Sequence, residues 1–309
     1  NNIEFLKNKI KKSSNFMAII KSDAYGHILP NIVADIDDHV DGYGVVRFEE
    51  AMELRKISNK KILLMQGVYS QEDFINSRKN NFDLVIHNDY QFNIVKDNKS
   101  YENLWFKVNT GMNRLGFPPD QVDYLIENLN ANPNVSDITL MTHFATADEK
   151  EGITKQLDCF NRVTNNYNFS SSVANSAALY KFPEARLDWV RPGIMLYGAS
   201  PFEDISAKEI DVKPVMSLMS KIIAIQDIKK GQAVGYGSHF IAKDDMRIGI
   251  VACGYGDGYP RHAKTGTPIF VHDKTTKTVG RVSMDMLYVD LSKIEKAVIG
   301  SKVEMWGNH

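Results

Sequence analysis

Apolar and polar positions alternate along the first two-thirds of the chain in a repeating order: a short apolar run, then a stretch with helical spacing. Residues 3–11, IEFLKNKIK, set Ile3, Leu6 and Ile10 on one helical face. Strand-like runs follow at 17–21, 42–46, 61–66, 82–87, 104–109, 138–144, 171–176 and 189–197. Helical stretches separate them, among them 48–58, 71–80, 119–130 and 153–168. Eight strands, each followed by a helix or loop over about two hundred residues, predict a parallel (β/α)8 barrel of the TIM type. A doubly wound open sheet shares this alternation, because periodicity does not report closure.

Near Pro214 the texture changes. The runs LMSKIIAIQDI, MRIGIVACG, TPIFVHD, KTVG, MLYVDL and KVEMWG are separated by turn signals, with almost nothing helical between them. The polar stretch PFEDISAKEIDVKP supplies the linker. The predicted organisation is an α/β barrel over residues 1–212 and a mostly-β domain over 213–309 that reads as incomplete at its C-terminal end. Both chain ends read as cut.

Composition narrows the function classes. A hydrophobic content of 43% and a charged content of 24% are ordinary for a globular protein. A net charge of −1 gives no long-range field to draw nucleic acid or anionic lipid, so neither is expected as a partner. Two cysteines, Cys159 and Cys253, are too few for a disulfide framework and point to the reducing cytoplasm. No apolar run approaches the roughly 20 residues that span a bilayer. No metal site is expected.

In a barrel of this type the chemistry lies at the C-terminal strand ends. The run Met17–Ile20 stops at Lys21, and Ser22, Asp23, Tyr25, Gly26 and His27 follow. A lysine at the last residue of such a strand keeps its stem in the core and its amine at the rim. Partial desolvation there suits a Schiff-base nucleophile. Taken alone, a surface lysine is the simpler reading. Four other ends change the balance: Lys107 followed by the Asn109–Arg114 loop, His143, the pair Asn175-Ser176, and Arg191-Pro192-Gly193-Ile194. Singly, each has a bland explanation as a core histidine, a solvated arginine, a helix cap or a turn glycine. Jointly, Ser176 at a helix start and the N–H groups of Gly193 and Ile194 make a phosphate cup, to which Tyr25 adds a phenolic donor. A lysine nucleophile and a phosphate cup are the two anchors of pyridoxal phosphate.

The segments AIIKSDAYGH, KVNTGMNRLGF, LMTHFATADE, VANSAALY, VRPGIMLYG, VGYGSHF, CGYGDGYPR and GRVSMDM resemble, in order, the signature blocks of bacterial alanine racemase. The resemblance implies a pyridoxal-phosphate barrel followed by a β-domain. It also implies a head-to-tail homodimer with shared active sites, interconverting L- and D-alanine and so supplying D-alanine for peptidoglycan. By the same resemblance Lys21 carries the cofactor and is one catalytic base, and Tyr255 from the partner's β-domain is the other. Tyr25, Asn175, Ser176, Gly193 and Ile194 belong to the cofactor's phosphate end. Arg191 faces the pyridine nitrogen with His143 bonded behind it, which disfavours protonation of that nitrogen and suppresses transamination. Arg114 contacts cofactor and substrate carboxylate, and Met284 offers the carboxylate its N–H. Lys107 matches a lysine that many members carry as a carbamate, and Asp148 and Arg281 line the entrance. A tyrosine base requires neighbouring cations, for which Arg114 and His143 are the candidates. Asn109 stands where many relatives have an acid. The alternatives are a broader amino-acid racemase, a non-catalytic cofactor carrier, which would lack the β-domain, and a decarboxylase on the same two-domain plan.

Overall fold

The computed structural model describes residues 1–98, 101–131, 135–272 and 274–307. The runs read above as reaching Asp273 and the chain end at Asn308-His309 extend outside the described residues. Two compact units divide the chain, Asn1–Lys213 and Pro214–His309.

Among the described residues, the first unit contains eight parallel strands. They are β1 (Asn15–Ile19), β2 (Gly42–Val45), β3 (Lys61–Leu64), β4 (Phe82–Ile86), β5 (Tyr101–Lys107), β6 (Val135–Met141), β7 (Ser170–Ser172) and β8 (Trp189–Val190). They pair in the order β7-β6-β5-β4-β3-β2-β1-β8. No ladder joins β7 to β8 among the described residues. That seam is bridged by the Arg191 N–H donating to the Ala174 carbonyl at 2.9 Å, Ser172 Oγ to the Trp189 carbonyl at 2.8 Å, and the Ser171 N–H to the Asp188 carboxylate at 2.8 Å. The architecture is the (β/α)8 barrel expected from the alternation, nearly closed, and not an open doubly wound sheet.

Two-residue periodicity sorts the side chains. Along β1, Phe16 and Ala18 pack outward with the helices, whereas Met17 and Ile19 join Leu63, Val85, Trp105, Met141 and Trp189 inside the barrel. Burial on both faces accounts for the near-continuous apolar runs. Asp83 of β4 interrupts them and is 1% exposed. Burial pushes its carboxyl up, and this is opposed by Lys61 Nζ at 3.0 Å and by the Trp105 Nε1–H at 2.9 Å.

Most elements are shorter than their patterns. The run 189–197 yields only two strand residues, because Pro192 has no N–H for a ladder and Ile194–Tyr197 winds into a 3₁₀ turn. The stretch 119–130 splits into a 3₁₀ turn, Pro119–Gln121, and a helix, Val122–Asn130. Helix Thr154–Thr164 ends four residues before the predicted 168.

The second unit contains β9 (Leu218–Ile228), β10 (Ala233–Val234), β11 (Phe240–Ile241), β12 (Met246–Val251), β13 (Pro268–Val271), β14 (Lys274–Val279), β15 (Leu287–Asp290) and β16 (Lys302–Trp306). Six of them close an antiparallel barrel in the order β12-β15-β14-β13-β16-β9, and β10 pairs with β11 as a separate hairpin. That hairpin flanks VGYGSHF, whose glycines hid it from the apolar pattern. Ile222, Val251, Ile269, Leu287 and Val303 are part of this unit's core. Among the described residues, no helix is long and apolar enough to cross a membrane.

Candidate active site

Ile19, Trp105, Met141 and Trp189 face the barrel interior, and two residues beyond each stand Lys21, Lys107, His143 and Arg191. Strand parity therefore stacks a layer of nitrogen-bearing side chains on the apolar plug at the C-terminal rim. Burial, then the charges of Arg191, Arg114 and Lys21, brings the Lys107 ammonium down to about 8. Burial, then Arg191, Lys107, Arg114 and Lys21, pushes the His143 imidazolium down to about 3. Among the described residues, no carboxylate is one of the charges acting on either group.

His143 is thus a neutral imidazole at neutral pH. This corrects its expected role as a cation beside the tyrosine base. In the unfolded chain it takes a proton as the pH falls through about 6.5. The folded state resists that proton down to about 3, so between these values acid favours unfolding and this contribution to stability is lost as the pH falls. In the folded protein, the His143 ring resonances followed by NMR are expected to stay fixed from about pH 8 to 5. A midpoint near 6.5 would contradict the buried geometry.

Arg191 is 3% exposed and spreads its guanidinium between β6 and β7. Nη1 donates to Ser172 Oγ and Nη2 to the Thr142 carbonyl at 2.7 Å, while Nε is buried and, among the described residues, has no partner. Burial lowers it to about 10, so it stays charged at neutral pH. Among the described residues, His143 is not one of its hydrogen-bond partners. The expected His143–Arg191 bond gives way to Ser172 and Thr142, which engage both Nη groups.

Arg114 is exposed and, among the described residues, makes no hydrogen bond or ion pair. Its loop is built by Asn109, whose Oδ1 accepts the N–H groups of Gly111 at 3.1 Å and Asn113 at 3.0 Å. This turn needs an acceptor oxygen, which asparagine supplies as an acid would. Buried Gln156 stitches the neighbouring ends together. Its Nε2 donates to Thr110 Oγ1 at 3.1 Å and to the His143 carbonyl at 3.2 Å, and its Oε1 accepts the Ala145 N–H at 2.7 Å. Thr110 and Thr142 hydroxyls share a 2.7 Å bond.

The cup residues come together after β7 and β8. Asn175 caps helix Ser176–Lys181, its Oδ1 accepting the Ala178 N–H at 2.9 Å. Ser176 Oγ accepts the Gly193 N–H at 2.9 Å, and Ile194 opens the adjoining 3₁₀ turn. A Cβ on residue 193 would sit 2.6 Å from the Tyr25 hydroxyl, so only glycine admits that hydroxyl to the cup. Burial pushes Tyr25 up and keeps it a protonated donor.

Lys21 is not the last strand residue. β1 stops at Ile19, and Lys21 opens a turn, Lys21–Gly26, in which Ser22, Asp23, Ala24 and Tyr25 all adopt φ between 52° and 56°. Each such residue costs roughly 1–2 kcal/mol. Surrounding contacts hold the turn. The Asp23 carboxylate accepts the Leu29 N–H at 2.7 Å, Tyr25 stacks on Tyr197 at 4.7 Å, and the Ser22 N–H donates to Glu50 at 2.6 Å. Sequence reasoning missed Glu50, Gln156, Thr142, Ser172 and Tyr197. Glu50 carried no capping-box signal, because the residue before its helix is Arg47, whose side chain has no acceptor.

In the second unit Tyr255 and Met284 are neighbours. The N–H groups of Tyr255 and Gly256 donate to the carbonyls of Ser283 at 3.1 Å and Met284 at 2.8 Å. Gly254 lies so close to those two carbonyls that a side chain there would collide with both. Tyr255 is 38% exposed, with the Arg261 guanidinium 5.6 Å from its ring centroid. Arg281 is exposed beside Gly237, and Asp148 of the first unit is exposed on the loop after β6.

Fold and rim together define a (β/α)8 barrel with a cation-rich mouth, followed along the chain by a β-barrel unit. Within that class, the chain belongs to the alanine racemase family. Residues 1–201 match the model of the alanine racemase N-terminal domain, and residues 215–309 that of its C-terminal domain. The chain is 44% identical over 300 residues to an alanine racemase of Nitrosospira multiformis, covering 95% of this chain and 84% of that protein. It resembles the crystal structure of the biosynthetic alanine racemase of Pseudomonas aeruginosa with a TM-score of 0.96 and 39% identity, covering 99% of this chain and 87% of that one. The alanine racemase of Acinetobacter baumannii gives 0.93 and 36%, covering 100% and 87%. The carrier and decarboxylase alternatives fall away, since both family models are those of alanine racemase.

Proposed function

We propose that this chain interconverts L- and D-alanine with pyridoxal phosphate as cofactor. The uncompensated charge of the rim carries this reading. Lys21, Lys107, Arg114 and Arg191 converge, and among the described residues no carboxylate is one of the charges acting on Lys107 or His143. An unpartnered buried cation is strongly destabilising, so the rim is complementary to anions, and a cofactor phosphate and a substrate carboxylate provide two. The unpartnered Arg191 Nε and the glycine-only opening at Gly193 fit a ring nitrogen and a phosphate respectively.

Pyridoxal phosphate, when bound, supplies an electron sink that makes the Cα proton of an attached amino acid removable. Tyr25, Ser176, Gly193 and Ile194 hold the phosphate, with Asn175 fixing the helix that presents Ser176. Arg191 offers an N–H to the ring nitrogen and, as a cation, disfavours a proton there. Arg114 and the Met284 N–H orient the substrate carboxylate. Lys21 tethers the cofactor and, once released, moves the Cα proton on one face. Tyr255 serves the other face from the second subunit of a head-to-tail homodimer. Asp148 and Arg281 line the entrance. Lys107, held near 8, has a fraction of free amine at neutral pH. That amine adds to carbon dioxide: an N–C bond forms, a proton leaves Nζ, and the carbamate pairs with Arg114. The product role is D-alanine for peptidoglycan, made in the cytoplasm.

Borohydride treatment of the loaded protein followed by peptide mapping is expected to find the cofactor fixed to Lys21. A tag on Lys107 instead would overturn the assignment.

A further inference from the structure

Glu50 stands at the third position of helix Phe48–Arg55, and both of its carboxylate oxygens are engaged. Oε2 accepts the N–H groups of Val46 at 3.2 Å and Arg47 at 3.0 Å, which ties the helix to its own entry. Oε1 reaches across to the N–H groups of Ser22 at 2.6 Å and Asp23 at 3.4 Å. Those are the two amides directly after Lys21. Later in the turn, Ala24 and His27 donate to the Ile20 and Ala24 carbonyls, so Glu50 serves the amides at its start.

We propose that Glu50 is the positioning residue of the site. It holds the left-handed turn Ser22–Tyr25 and thereby sets where the Lys21 amine and the Tyr25 hydroxyl stand on the rim. The arrangement requires a carboxylate. A glutamine of the same shape offers one acceptor oxygen, so its NH₂ group must face one of the two N–H pairs. The near pair belongs to the same helix entry as residue 50 and stays within its reach, whereas the far pair beside Lys21 lies on another element, so the far pair is the one released. The turn's φ values near +55° then lack their anchor, and the Lys21 amine loses its fixed place on the rim.

The kinetic arm of the test rests on the proposed racemase reading; the exchange arm does not. Glu50→Gln is compared with Leu54→Ala, a fully buried position on the same helix, which controls for general loosening of that helix. In Glu50→Gln, kcat is expected to fall about 30- to 100-fold while the alanine KM stays within about threefold. In the cofactor-free protein, hydrogen exchange at the Ser22 and Asp23 amides is expected to rise at least about tenfold. Leu54→Ala is expected to lower Tm and leave kcat and both amides within about twofold of the parent. The proposal is overturned if Glu50→Gln keeps parental exchange at those amides, or if Leu54→Ala reproduces its changes. Should the parent fail to racemise alanine, the functional reading falls, and exchange at the two amides alone decides the role of Glu50.

Discussion

Replacing Lys21 by alanine is expected to lower kcat for racemisation by at least about 1,000-fold, because one side chain supplies both the cofactor's attachment and a proton-transfer base. Stability should change little. Lys21 is only partly buried, and its removal relieves repulsion on Lys107 and His143 instead of opening a core cavity. With one cation fewer, the remaining pull on His143 and Lys107 weakens, so both groups should titrate at higher pH in the variant than in the parent. Thermal melting of the cofactor-free proteins checks the first point, and NMR titration of His143 the second. Near-parental turnover in Lys21→Ala would remove the lysine from the mechanism.

The second large effect concerns direction. Tyr255→Phe removes one hydroxyl from a loop whose backbone is fixed by the Ser283 and Met284 carbonyls, so the loop keeps its place. If Lys21 removes the Cα proton of D-alanine and Tyr255 that of L-alanine, the variant still exchanges the Cα proton of D-alanine with solvent through Lys21. It is expected to lose about 1,000-fold in exchange of L-alanine and in net inversion. Separate deuterium incorporation into each enantiomer, read by chiral chromatography and mass, measures this split. Equal losses for the two enantiomers would assign Tyr255 a supporting role.

Much of the rim was legible because strand parity turns every second residue into the barrel as far as the strand ends. Ile19, Trp105, Met141 and Trp189 read as apolar strand residues, and the functional side chains stand two positions on, where the interior face meets solvent. What remained hidden lies where the backbone leaves regular geometry. Nothing in Ser22-Asp23-Ala24-Tyr25 announces four left-handed residues, since none is glycine or asparagine. The conformation is held from outside by Glu50 and Tyr197, and by the Asp23 carboxylate reaching on to the Leu29 N–H. The protonation state of His143 was also illegible. It follows from burial among cations drawn from several strand ends, which no single segment encodes. Asn109 shows the opposite case. A departure from the family pattern became ordinary once its oxygen was seen accepting two loop amides.

The central claim is that two bases on opposite faces invert alanine at this rim. Incubating the protein loaded with pyridoxal phosphate with L-alanine in deuterated water tests it directly. Loss of optical rotation accompanied by deuterium at Cα of the D-alanine formed is the expected result. Unchanged rotation, or release of carbon dioxide in place of inversion, would contradict it.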